Sequence, residues 1–255
     1  MRLSLRLKRL LGVSRPMRFH GPRELAELLE PIRWEADVFD DVAAMLGSLD
    51  LAHFQDLRAR YADASPDPGY SKYLDIATYV ALQVRYAREL GLAPGSAQGR
   101  RRVLDIGTGA GYFPFVCRYY GHQTAAIDLD TTPMYNDLVR LLGVDRVTWR
   151  VVPFVPLPDF PERFDCVTAM QLKFNTRPNG GPWGREEWGF FLEDLANRVA
   201  HPDAQVFLGF NADRSGVAVA SDLAAFLREG GATVDDWKVT LRSLRTFARD
   251  PDGKA

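Results

Sequence analysis

The chain has 255 residues, a formal net charge of −1, 46% hydrophobic residues and 25% charged ones. That length and apolar share suit one globular domain with a helical addition, and the near-zero charge argues against a chain built to coat nucleic acid. Two cysteines, Cys117 and Cys166, both among apolar neighbours, read as buried thiols rather than a disulfide framework or zinc site, and the lack of an apolar run of membrane-spanning length points to a soluble, cytoplasmic protein.

Residues 1–18 depart from this balance. Arg2, Arg6, Lys8, Arg9, Arg15 and Arg18 stand there with no acid, and Leu3, Leu7, Leu10 and Leu11 fall at helical spacing. The charges interrupt the segment too often for a secretory signal. It reads as a basic amphipathic helix resting weakly on an anionic membrane surface, or as a terminus that frays or docks on its own domain or on a homodimer partner.

Residues 19–98 read as a helical region. Leu25, Leu28 and Leu29 suggest a short helix stopped at Pro31, and a long stretch from about Glu35 to Arg60 sets Val38, Phe39, Val42, Leu46 and Leu49 on one face, with Gly47 as its breaking point. Loop composition follows over 63–69. Tyr73, Ile76, Ala77, Val80, Val84 and Ala87 then repeat at three to four residues, which predicts a helix to about Leu90. Tyr73 opens it and is a candidate acceptor contact.

The remaining domain, 99–255, begins with an apolar Val103-Leu104 strand, then Asp105, then Gly107, Gly109 and Gly111 at alternate positions, then a helix from about Tyr112. Glycine accepts positive φ and leaves room for a ligand against the backbone. The helix that follows directs unpaired N–H groups over the loop. A second strand, Gln123 to Ile127, ends on Asp128, whose carboxylate suits the two hydroxyls of a ribose. Dinucleotide enzymes carry G-x-G-x-x-G for a pyrophosphate. Here Tyr112 stands where the last glycine would fall, and Asp105 precedes the loop, an acid that repels a pyrophosphate but suits an ammonium.

This stretch resembles motif I of the class I S-adenosylmethionine-dependent methyltransferases. The resemblance implies an α/β Rossmann-like methyltransferase fold, a seven-stranded, mostly parallel sheet flanked by helices with an N-terminal helical cap. It also implies S-adenosyl-L-methionine as cofactor. It places Asp105, Gly107, Thr108, Gly109 and Gly111 around the methionine part, and Asp128 with Leu129 at the ribose.

The later elements follow the same order. A helix is expected from Tyr135 to Leu142, a strand from Val147 to Val152, a strand from Phe164 to Met170, a helix carrying Trp188, Phe191, Leu192, Leu195 and Val199, a strand from Gln205 to Phe210, a helix from Val217 to Arg228, and two closing strands within Thr233–Thr246. The family often places an acid soon after the third strand to hold adenine. Here Pro153-Phe154-Val155-Pro156-Leu157-Pro158 contains none, so either Phe154 packs on adenine or Asp159 reaches in. Beyond the fourth strand, Lys173 and Asn175 flank Phe174 and are candidates to orient an acceptor hydroxyl. Residues 176–184, rich in turn formers, have the length of a mobile lid.

Methyl transfer from a sulfonium asks mainly for positioning in a dry pocket. No catalytic base stands out: His20 and His53 lie outside the domain, His122 reads as structural, and His201 reads as solvated at a helix end. No acid cluster has metal spacing, so no metal is expected. The reading is a methyltransferase acting on a small-molecule or lipid/saccharide acceptor, at oxygen, with no nucleic-acid partner. The alternative is a non-catalytic S-adenosylmethionine-binding regulatory or assembly protein.

Overall fold

The structure, a computed structural model, describes residues 16–17, 19–62, 68–97, 99–177, 180–212 and 216–249. Almost all of the basic segment expected over 1–18, and most of the 63–69 loop, lie outside these residues. The chain divides into two compact units after Gly95, three residues earlier than the division at 98 expected from composition.

The first unit is helical: α1 (Arg23–Leu29), α2 (Phe39–Gly47), α3 (Leu51–Ala62), a single turn α4 (Pro68–Ser71) and α5 (Ile76–Glu89). The long stretch expected from Glu35 to Arg60 is two helices, divided where the Ser48 hydroxyl donates to the Met45 carbonyl and turns the last helical bonds inward. Leu28, Leu29, Val42, Met45, Leu46, Ile76, Val80 and Val84 are buried where α1, α2 and α5 pack together. The rim of that packing is ionic. Arg85 donates to Glu35 at 2.9 Å and to Asp37 at 3.1 Å, and Arg88 to Asp41 at 2.8 Å. The Arg85 guanidinium holds the Asp37 carboxyl below the usual carboxylate range.

The second unit is a seven-stranded sheet of order β3-β2-β1-β4-β5-β7-β6. Its strands are β1 (Arg102–Ile106), β2 (Gln123–Asp128), β3 (Arg146–Thr148), β4 (Phe164–Ala169), β5 (Ala200–Gly209), β6 (Thr233–Asp235) and β7 (Lys238–Leu241). The first five run parallel and β7 runs antiparallel to both its neighbours. Helices α6 (Tyr112–Tyr119), α7 (Pro133–Leu141), α8 (Arg185–Asp194) and α9 (Ser221–Glu229) connect the strands. Parallel strands covered on both faces read as continuous apolar runs, and Val103, Leu104, Ile106, Cys166, Val167, Ala169, Val206, Phe207 and Leu208 are all buried. The third strand stops at Thr148, four residues short of the expected Val152. The fifth starts at Ala200, five residues before the expected Gln205, which puts exposed His201 in a strand rather than at a helix end.

The order of strands sets the position of any ligand. The chain leaves β1 toward β2 on one side, and the later strands build outward from its other side through β4. That reversal opens a crevice at the carboxyl ends of β1 and β4, where ligands bind in open α/β sheets. The glycine loop fills its floor.

Gly111 caps α6 at φ 81, and a Cβ there would stand 3.2 Å from Val144 Cγ2 and 3.3 Å from Val139 Cγ2. Replacing Gly111 by alanine therefore combines left-handed strain with crowding against α7. We expect a loss of about 2 kcal/mol in urea unfolding; an unchanged midpoint would mean that the loop relaxes freely.

Candidate active site at the carboxyl edge of the sheet

Asp105 lies at the penultimate position of β1, 3% exposed, directly across from Thr168 of β4. The Thr168 hydroxyl donates to Asp105 Oδ1 at 2.7 Å. Sequence reading missed Thr168, although a hydroxyl between apolar Val167 and Ala169 of a central strand signals a buried polar partner. Burial pushes the Asp105 carboxyl up to about 6, the Thr168 hydroxyl opposing the rise and the Asp128 carboxylate adding to it.

Past Asp105 the chain turns. The Gly107 and Thr108 N–H groups donate to the Ile127 carbonyl at 2.7 and 3.3 Å, tying the loop to β2. Gly107 has φ 78, and a Cβ built on it would meet nothing within 4 Å, so this side of the loop is open. Asp128 closes the other side. Its Oδ2 accepts from the Gly109 N–H at 2.6 Å and its Oδ1 from the Leu129 N–H at 2.7 Å. Each carboxylate oxygen has two lone-pair sites, so both keep one for a pair of vicinal hydroxyls. The loop and the acid that end β1 and β2 are one hydrogen-bonded object. Tyr135, in the first turn of α7, walls it: its ring lies 3.7 Å from where a Gly109 Cβ would be.

Beyond β3, the Trp149 N–H donates to the Asp128 carbonyl at 3.0 Å and carries the chain toward Phe154. Phe154 is 52% exposed at φ 60, its ring edge-on to Phe190 at 5.8 Å. Asp159 does not compete with it. The chain has by then turned back toward the amino end of β4, where Asp159 pairs with Arg198, two residues before β5. It stands at the opposite edge of the sheet from the glycine loop.

The segment after β4 is pinned rather than free. The Leu172 N–H donates to the Gly209 carbonyl at 2.9 Å, and Asn211 Nδ2 to the Leu172 carbonyl at 2.7 Å. Lys173 is exposed, while the Asn175 carbonyl accepts from the Trp183 N–H at 2.9 Å. The lid expected over 176–184 is instead a turn held at its base by a Thr176–Pro182 bridge and by Arg177, which forks onto buried Glu187 of α8. The Arg177 guanidinium brings the Glu187 carboxyl down to about 2. Behind the turn, Phe174, Trp183, Trp188 and Phe191 meet in edge-to-face and tilted pairs, with ring centroids 5.3–6.4 Å apart.

Tyr73 belongs to the helical unit, where it packs on Tyr79 at 4.7 Å, with the Lys72 ammonium over its ring. His122 is buried, and its Nδ1 accepts from the Arg101 N–H at 3.0 Å, a structural role. Among the described residues no three His, Cys, Asp or Glu side chains converge as a metal site, and no helix is long and apolar enough to cross a membrane.

These residues fit an S-adenosyl compound. Burial is the main reason that the Asp105 carboxyl is raised, and an ammonium beside it would favour the charged form. Asp128 offers paired acceptors, and the open face at Gly107 admits a ligand to the backbone. Without a ligand the buried charge costs stability. A carboxyl whose pKa is raised in the folded state holds a proton that the unfolded chain has already released. Stability therefore falls as pH rises from 3.8 to about 6, by about 3 kcal/mol in all, and the penalty stays complete above that. Asp105→Asn keeps an oxygen for the Thr168 hydroxyl and removes the charge. Its urea midpoint should exceed that of wild type at pH 7.5 and match it near pH 4. An equal gain at both pH values would rule out charge as the cause.

No protein-family model matches the chain, and no curated protein matches it. Solved structures do. The S-adenosylmethionine-dependent methyltransferase SibL in its apo form is 15% identical, over 92% of this chain and 82% of that one, with a TM-score of 0.44. DesVI of Streptomyces venezuelae is 18% identical over 62% of this chain at a TM-score of 0.39, and the chain spans 57% of its length. A ribosomal protein L11 methylase of Lactobacillus delbrueckii subsp. bulgaricus is 15% identical, over 68% of this chain and 78% of that one, at 0.39. With the strand order β3-β2-β1-β4-β5-β7-β6 and the glycine loop at the carboxyl end of β1, the chain has the Rossmann-like fold of the class I S-adenosylmethionine-dependent methyltransferases.

Proposed function

We propose that the chain is a methyltransferase that uses S-adenosylmethionine to methylate a small-molecule, lipid or saccharide acceptor at oxygen. One observation carries the reading: a buried Asp105, held by the Thr168 hydroxyl and with no cation beside it among the described residues, beneath an open glycine loop, with Asp128 offering two acceptor sites. That combination attracts an ammonium and a pair of hydroxyls and repels the pyrophosphate of a dinucleotide.

Bound, the cofactor supplies a methyl group already activated on a sulfonium. The protein's part is then to hold, orient and dry. Asp105 accepts from the ammonium, Asp128 from the ribose hydroxyls, and the Gly109 and Leu129 N–H groups keep the Asp128 carboxylate turned for that task. Phe154 offers an exposed ring to adenine where the family's usual acid is missing. The aromatic block of Phe174, Trp183, Trp188 and Phe191 keeps water from the ends of β4 and β5, and Lys173 and Asn175, on the pinned segment above it, orient the acceptor hydroxyl. An alcohol presented in this way would take the methyl group as the methyl–sulfur bond breaks, S-adenosylhomocysteine leaving as a neutral thioether and the alcohol's proton passing to solvent.

Titration calorimetry with S-adenosylmethionine, S-adenosylhomocysteine and NAD tests the cofactor. Wild type should bind the first two and not NAD, and Asp128→Ala should weaken both by roughly tenfold or more, since it removes hydrogen bonds to a charged acceptor. Binding of NAD alone would overturn the family reading, and binding of none would leave the fold without this function.

A further inference from the structure

Among the described residues, three that are not glycine have left-handed backbone: Phe154 at φ 60, Gln171 at φ 53 and Asp236 at φ 50. Asp236 opens the two-residue connection between β6 and β7, where a short acid is tolerated. All three stand at the carboxyl edge of the sheet, but Phe154 and Gln171 lie outside any such hairpin turn, and both are exposed. Gln171 is the one that the reading above leaves without a task. Such strain persists only where the surroundings impose it, and it concentrates at functional sites.

The surroundings of Gln171 impose it from both sides. Gly209, at the end of β5, has no side chain, so the chain beyond β4 folds across it: a Cβ on Gly209 would lie 3.3 Å from the Gln171 nitrogen and 3.5 Å from Met170 Cα. The next residue, Leu172, is buried and clamped by the Gly209 carbonyl and by Asn211. With Leu172 turned inward, the side chain of Gln171 is left outside. Thr168 is the register partner of Asp105 and Gln171 follows it by three residues, so Gln171 comes just past the carboxyl end of β4, the strand beside the one that leads into the glycine loop.

An amino acid in that crevice carries two charges. Asp105 can accept from its ammonium but repels its carboxylate, which needs a donor. We propose that Gln171 is that donor, its side-chain Nε2–H groups holding the carboxylate of the methionine part while Asp105 holds the ammonium. This rests on the S-adenosylmethionine reading. It makes Gln171 a binding residue that selects ligands ending in an α-amino acid, and it accounts for a strained glutamine at a position where glycine would be more comfortable.

The experiment uses two probes, S-adenosylhomocysteine and 5′-methylthioadenosine, the same kind of nucleoside thioether without the amino-acid end. Gln171→Gly removes the amide and relieves the backbone, and Gln171→Glu replaces the donor by a carboxylate. Calorimetry on the full chain should show Gln171→Gly weakening S-adenosylhomocysteine by roughly tenfold to a hundredfold, the usual worth of a hydrogen bond to a charged group. Gln171→Glu should weaken it further, and 5′-methylthioadenosine should bind all three proteins alike. The melting temperature of Gln171→Gly should equal or exceed that of wild type, which separates lost contact from lost folding. Equal weakening of both probes, or undiminished S-adenosylhomocysteine binding by Gln171→Glu, overturns the role of Gln171 and leaves the cofactor reading intact. Failure of wild type to bind S-adenosylhomocysteine overturns both.

Discussion

The hydrogen bonds along both edges of β1 are the constraint on which the site depends. A strand paired in parallel with β2 on one side and β4 on the other is fixed in register at Asp105, with Ala126 and Thr168 as its partners. Because the connections leave in opposite directions, the backbone beyond Ile106 has no neighbour to pair with and must turn. Glycines let it turn tightly enough for the Gly107 and Thr108 N–H groups to come back onto the Ile127 carbonyl. Asp128 then reaches across to the Gly109 N–H. The loop is thus shaped by the sheet before any ligand arrives, which is what preorganised binding requires.

The same edge holds features that work against stability. Among the described residues no cation pairs with buried Asp105, Phe154 and Gln171 have unfavourable backbone, and large apolar side chains, Trp149 and Phe154, face solvent. Each is unfavourable on folding grounds alone and favourable for a ligand with a cation, a flat ring and a carboxylate. The opposite edge of the sheet shows none of this tension. There Asp159 and Asp194 share Arg198, and Asp194 also accepts from the Leu157 N–H at 2.8 Å. Asp159 and Asp194 are thus paired with arginine, whereas Asp105 accepts from a hydroxyl and Asp128 from backbone N–H groups, and that contrast is independent of any likeness to other proteins.

What the sequence made legible is what local backbone chemistry dictates. Gly107, Gly109 and Gly111 all take positive φ, and Asp128 ends β2 as its place after an apolar run suggests. The features that escaped depend on partners distant in the chain. Asp159 looked available because Arg198 is 39 residues away. Residues 176–184 looked like a lid because turn formers dominate the stretch, but Arg177 and Glu187 close it with a charge pair whose acid is buried in the first turn of α8. Thr168 meets Asp105 across two strands separated by 63 positions. Gln171 could not be singled out from Lys173 and Asn175 by residue type; its backbone angle and the missing Cβ of Gly209 distinguish it.

The pinned segment after β4 also bears on how selectivity is divided. Its outer residues, Gln171 and Lys173, are exposed, while the inner ones, Leu172 and Phe174, are anchored by Gly209 and by the rings of Trp183 and Trp188. Every second side chain is therefore fixed from behind, and the polar ones between are presented on a rigid backbone. A rigid presentation costs little ordering entropy when a ligand binds, whereas a loose loop would lose most of the gain from each hydrogen bond. The aromatic block thus backs an irregular stretch of chain from behind and holds its polar side chains out on a fixed backbone.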